Sequence, residues 1–203
     1  MKDSIKFILK NSIVFALVSF AFSMIGAFFP ESEFTVVIGN PLVVSSVTYE
    51  HVLGHVFWGA IIGLGTLSIR YIILGGSFAI FLDSDHLLQF LDIELVSRMS
   101  HSIPFAVIVS IVFFVILRGK DIRICAVAFG AVLSHIAFDI FLADVAFNSG
   151  TKFPLFSPFT FETVSLQGLD WLVIQIIGVS IVAITSYLFK RKQVRLKNRL
   201  TKT

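Results

Sequence analysis

Residues 81–90, FLDSDHLLQF, place Asp83, Asp85 and His86 inside a run that otherwise reads as a membrane span. An ionisable side chain near a bilayer centre costs about 2.5–3.5 kcal/mol even on the gentler insertion scales. Three together need a partner, and a metal ion joins carboxylate to imidazole while cancelling charge. The remaining ligands must then come from elsewhere in the chain.

Composition supports the membrane reading. Of 203 residues, 56% are hydrophobic and only 14% are charged, against about 25% charged in a soluble domain. Mean hydropathy is +0.92. The 23 phenylalanines suit helices that face lipid, and the single Cys125 excludes an internal disulfide or a cysteine-based zinc ribbon.

Working outward, the sequence predicts six spans. Residues 12–29 form the first; the run is too long for a signal-peptide core and closes on Phe29-Pro30, which predicts an uncleaved span. Residues 31–49 form a loop with acids but no basic residue. The second span covers 50–69, Arg70 marks a tight turn, and the third covers 71–91. After a polar connection come a fourth span over 101–117, a basic turn over 118–123 and a fifth span over 124–147. A loop rich in Phe, Pro, Ser and Thr leads to the last span over 170–189, whose Trp171 suits an aromatic belt. A basic tail closes the chain.

The basic residues orient this scheme. With both termini cytoplasmic, the inner segments hold three, then one, then three, then seven of them. Fourteen of the 16 thus lie inside, and only Arg98 and Lys152 lie outside. Topology and anionic lipid heads account for the sequence pI of 9.1, so no nucleic-acid partner is expected.

Depth then brings the ligands together. His51 and His55 fall in the first turns of span two. Asp83, Asp85 and His86 lie within about 7–12 Å of the outer end of span three, and His101 opens span four. In span five His135 and Asp139 lie about 16 and 22 Å above the inner end. All five histidines share the outer half of the bundle. His51 with His55, and His135 with Asp139, stand four apart on one helix face, and Asp83 with His86 three apart. Asp85 points elsewhere on a regular helix, so either the helix loosens there or Asp85 acts behind the ligands. Taken singly, His51 reads equally as an interfacial residue, His101 as a helix cap and Asp139 as an interhelical hydrogen-bonding group. As a set they read as a metal site. Each of the two hairpins, spans two–three and four–five, supplies a histidine from its first helix and an acid/His cluster from its second. No HExxH motif, serine nucleophile elbow or phosphate-cradling glycine loop is present.

These residues resemble the YdjM-like predicted membrane-bound metal-dependent hydrolases, some of whose bacterial members are described as inner-membrane LexA-binding proteins. The resemblance rests on His51, Asp83-Ser84-Asp85-His86, Arg98-Met99-Ser100-His101-Ser102, Ser134-His135 with Asp139, and Pro158-Phe159. It covers about residues 50–160 and departs at Leu82, where the family has Pro, and at Ser100, where it has Thr. Either His51 or His55 matches the early histidine. The resemblance implies metal-dependent hydrolysis in a prokaryotic cytoplasmic membrane.

The expectation is an all-α polytopic bundle forming one integral membrane domain over 1–203. Residues 1–49 supply the first span and outer loop, 50–160 the metal-site core, and 161–203 the last span and tail. The expected ligands of one or two divalent ions, zinc above all, are His51, His55, Asp83, Asp85, His86, His101, His135 and Asp139. Arg98 and Asp85 are the catalytic candidates, Arg98 to hold a phosphate, and Glu50 or Asp144 could act as general base. A lipid or lipid-linked phosphoester is the expected substrate, because the loop KFPLFSPFTF over 152–161 suits a roof or an interfacial anchor. The alternatives are a metal transporter, a structural metal site or a regulatory interaction protein.

Overall fold

The computed structural model describes residues 2–29, 40, 48–91, 98–148 and 150–200. The side chains of Asp85, Leu91, Ala146 and Phe147 also lie outside the described set, as does most of the loop expected over 31–49. Among the described residues there are six α-helices: α1 (Lys2–Met24), α2 (Tyr49–Leu64), α3 (Ile69–Phe81), α4 (Ile103–Ile116), α5 (Ile122–Phe147) and α6 (Asp170–Leu200). Two short strands, β1 (Thr151–Phe153) and β2 (Val164–Leu166), pair antiparallel in the loop after α5. Among the described residues, that hairpin is the one departure from an all-α fold.

Local chemistry sets the helix starts. Thr48 caps α2 by accepting from His51 N–H at 3.3 Å, and Ser102 caps α4 by accepting from Phe105 N–H at 3.3 Å. Pro104, in the first turn of α4, has no N–H to leave unpaired. Asp121 caps α5 and is gripped by the Arg123 guanidinium at 2.8 and 2.9 Å and by the Tyr71 hydroxyl. Burial alone would raise the Asp121 carboxyl pKa, but these hydrogen bonds hold it below the usual value. Asn148 ends α5 in the left-handed conformation, which asparagine tolerates.

Four helical stretches, Lys2–Phe28, Ile69–Phe90, Ile122–Val145 and Asp170–Leu200, are long and apolar enough to cross a membrane. The other two differ from the expected spans. α2 has 16 residues and α4 has 14, so at about 1.5 Å per residue they are shorter than the roughly 30 Å of hydrocarbon. Conversely, α6 runs for 31 residues, so the expected basic tail is a continuation of the helix. α1 likewise begins at Lys2 rather than at residue 12.

α5 is the axis of the bundle: 83% of its span is buried, against 22% for α6 and 33% for α1. α2 and α3 close into a hairpin on small residues. A Cβ on Gly59 would stand 2.4 Å from the Gly75 carbonyl oxygen, and one on Gly75 as close to that of Gly59. Ile62, fully buried, fills the junction of α2 with Gly130 of α5 and Gly178 of α6. The outward faces of α1, α4 and α6 carry exposed Leu17, Phe114, Val115, Ile176 and Leu188, the composition of surfaces that meet lipid.

Candidate metal centre

Past Phe81 the regular α-helix gives way to ten residues of 3₁₀-helix, Leu82–Leu91. In a 3₁₀ turn, residues three apart eclipse. His86 is therefore carried over Asp83, with Nε2 3.6 Å from Asp83 Oδ1. The loosened segment is held from outside by α1. Ser19 donates to the Leu82 carbonyl at 3.0 Å, and Ser84 donates to the Ala16 carbonyl at 3.2 Å. The loosening foreseen at Asp85 is thus present, although the Asp85 side chain lies outside the described residues.

Asp83 is the hub of the centre. Its Oδ2 lies 3.5 Å from His51 Nε2 and 3.6 Å from His55 Nε2. Its Oδ1 lies 3.2 Å from His135 Nε2 and 3.7 Å from His101 Nε2, beside the His86 contact. Asp139 spans the same rings from α5, with Oδ1 3.2 Å from His55 and Oδ2 3.7 and 3.8 Å from His135 and His101. All five histidines of the chain meet around two carboxylates. The hairpin α2–α3 brings His51, His55, Asp83 and His86; His101, in the bend before α4, joins His135 and Asp139 of α5. His101 thus precedes the helix it was expected to open.

Three overlapping triads have ligand atoms within 4.8 Å of one another: His51–His55–Asp83, His55–His135–Asp139 and Asp83–His101–His135. Ligands about 2.1 Å from a common tetrahedral ion stand about 3.4 Å apart. The nitrogen–oxygen separations here, 3.2 to 3.8 Å, bracket that value. His55, His101 and His135, with Asp83 and Asp139, could therefore hold a metal ion.

The hydrogen bonds of His135 argue that a cation belongs there. Its Nδ1 lies 2.7 Å from the Ala79 carbonyl oxygen, which can only accept, so Nδ1 carries the proton. In the neutral ring Nε2 is then a bare lone pair, fully buried and aimed at the Asp83 carboxylate. Protonating Nε2 as well would resolve that clash for one ring. However, His55 stacks on His135 at 3.7 Å and 6°, and two imidazolium rings face to face would repel. Among the described residues the ion-pair partners of both carboxylates are histidines alone. The stacked pair can therefore carry only one proton charge, and two buried carboxylates beside a single imidazolium are costly unless a further cation joins them.

One side of the centre is more open. The side chains of His86 and His51 are 28% and 16% exposed, against 4% or less for His55, His101 and His135. One wall is aromatic. Phe138 lies edge-on to His55 at 4.7 Å and to His51 at 6.2 Å. It occupies space left by Gly54, where a Cβ would fall 1.9 Å from its ring. The sequence analysis missed Phe138 and Gly54; their signal was position, beside Asp139 and beside His55.

Arg98 does not reach the carboxylates as an ion-pair partner. Its guanidinium lies over the Phe153 ring at 5.2 Å, and Phe153 in turn faces His101 at 6.3 Å and 19°. Arg98 is thus one ring removed from the histidines. The phenylalanine loop divides between a buried part and an exposed part. Phe153 is fully buried over the site, and the loop is tied down by Ile103 N–H donating to the Leu155 carbonyl at 2.9 Å. Phe156 and Phe159 are 51% and 84% exposed and point away from the core. Glu50 is exposed on the first turn of α2, and Asp144 lies five residues beyond Asp139; neither joins the ligand triads. Trp171 packs on Trp58 and Phe141. No protein-family model matches this chain, and no curated protein or solved structure does.

Proposed function

We propose that this chain is a membrane-embedded metal-dependent hydrolase of the YdjM-like kind, acting on a phosphoester or related bond of a lipid or lipid-linked substrate. The observation that carries the reading is the buried Nε2 of His135 facing the Asp83 carboxylate, within a centre built from every histidine of the chain. Imidazole and carboxylate without thiolate favour zinc. A bound divalent ion supplies Lewis-acid polarisation of the scissile group and lowers the pKa of water. The histidines and carboxylates would hold the metal, and Asp83, with Oδ2 toward His51 and His55 and Oδ1 toward His86, His101 and His135, is suited to join two ions. Arg98, half-buried over Phe153, would supply the positive charge that meets the phosphate. Phe153 keeps bulk water from His101.

In this reading six helices cross the membrane, α2 and α4 where the bilayer meets their polar ends. Both termini face the cytoplasm, and the centre opens on the other side of a prokaryotic cytoplasmic membrane. Exposed Phe156 and Phe159 would sit in the outer interface and admit substrate sideways from lipid. The alternative of a closed structural metal site draws support from the complete burial of His55 and His135. The partial exposure of His51 and His86 favours the enzyme, because a catalytic site keeps one position open. The test compares zinc-loaded protein acting on a soluble phosphoester and on phospholipids in mixed micelles. Lipid turnover that exceeds soluble turnover and falls with Phe156→Ser and Phe159→Ser supports the proposal. Metal binding without turnover of either leaves the structural site.

A further inference from the structure

The end of the bundle away from the histidines carries two adjoining recesses between the α4–α5 turn and α6. Arg123 marks this end, about 18 Å along α5 from His135 at 1.5 Å per residue. The larger recess, about 610 Å³, is walled by Phe114, Ile122, Leu188 and Leu196 and includes Lys120 and Lys192. The second, about 560 Å³, shares Lys120 and continues along Arg123, Phe189 and Lys190.

The cations in these recesses are not equivalent. Arg123 is spent on Asp121 and lies over the Phe189 ring at 4.4 Å. Lys190 donates to the Thr66 carbonyl at 3.1 Å, closing the turn after α2. Lys120 and Lys192 are exposed, and among the described residues neither is in an ion pair. The apolar walls continue onto the outward surfaces of α4 and α6, where Phe114 and Leu188 are about half exposed. Charged side chains and a hydrocarbon surface lining one groove match an amphiphile. A free anion would gain nothing from Phe114 or Leu188.

We propose that this recess binds an anionic phospholipid, its phosphate between Lys120 and Lys192 and its first acyl carbons against Phe114, Ile122 and Leu188. The attraction is that of basic side chains beside a span for anionic headgroups. It does not depend on the metal centre, so it stands or falls separately from the proposed hydrolysis.

The experiment uses the full-length protein, carried in detergent with equal phosphatidylglycerol and phosphatidylcholine, and counts retained lipids by native mass spectrometry. Wild type should retain phosphatidylglycerol preferentially. K120Q/K192Q should lower that preference about thirtyfold, two surface cations' worth, and K120R/K192R should keep it. R195Q/R199Q removes the same charge from α6 outside the recess and should retain most of the preference. An equal loss in R195Q/R199Q would overturn the site in favour of diffuse attraction to the helix. Undiminished preference in a monodisperse K120Q/K192Q protein would overturn it outright. Displacement of the lipid by millimolar inorganic phosphate or glycerol phosphate would show a pocket for free anions and reject the phospholipid.

Discussion

His135 Nε2 stands 3.2 Å from Asp83 Oδ1 while its Nδ1 is committed to the Ala79 carbonyl 2.7 Å away. In the neutral ring an acceptor thus faces an acceptor in a buried site. Asp83→Asn separates a ligand role from a structural one, because the new amide can donate to that nitrogen. The expected outcome is loss of bound metal with little loss of thermal stability in chelator. His135→Ala should lose metal and stability together. Saturating zinc at about a hundred times Kd should add about 2.7 kcal/mol to wild type and nothing to either variant. Elemental analysis and thermal unfolding with and without chelator measure both, and undiminished metal in the two variants would remove the centre.

Gly54 leaves the space that Phe138 fills beside His51 and His55. Gly54→Ala should force the ring aside and destabilise the protein by about 1–3 kcal/mol, the usual range for overpacking, with weaker zinc binding. Phe138→Leu in the same chain should recover part of that loss. A double-mutant cycle on unfolding midpoints gives the coupling; strict additivity would mean that the two residues do not share this space.

Ser19 reaches from α1 to the Leu82 carbonyl at the point where α3 changes helix type. Ser19→Ala should cost about 1 kcal/mol, the net worth of such a hydrogen bond. Hydrogen exchange across 82–91 should quicken more than across α5. Uniform quickening would assign the serine to general packing instead.

Topology is tested in a Cys125→Ala background, since the native thiol is buried. Thr151→Cys, beside the phenylalanine loop, should react with an impermeant thiol reagent in intact cells, and Asn198→Cys on α6 should not. The opposite pattern would place the metal centre on the cytoplasmic side and withdraw the proposed route for the substrate.

Much of the centre was legible in the residues alone. Ionisable groups in hydrocarbon are costly, so His51, His55, Asp83, His86, His101, His135 and Asp139 stand out against their apolar surroundings. Helical rise places them at one depth, and the structure brings all seven within one network. Helix identity was legible for the same reason, since long apolar runs admit few other backbones in lipid.

Tertiary structure decided what depends on neighbours distant in sequence. The 3₁₀ turn that eclipses Asp83 and His86 is held by α1, through the Ser19 hydroxyl on the Leu82 carbonyl and the Ala16 carbonyl under the Ser84 hydroxyl. The tautomer of His135 follows from a carbonyl on α3, and the seat of Phe138 from an absent side chain on α2. Arg98 looked free to meet a phosphate directly, yet it lies over Phe153 of the hairpin. Hydropathy reports what a residue avoids, and that fixes depth. It carries no term for the partner a side chain meets across the bundle, and those partners set the geometry of the centre.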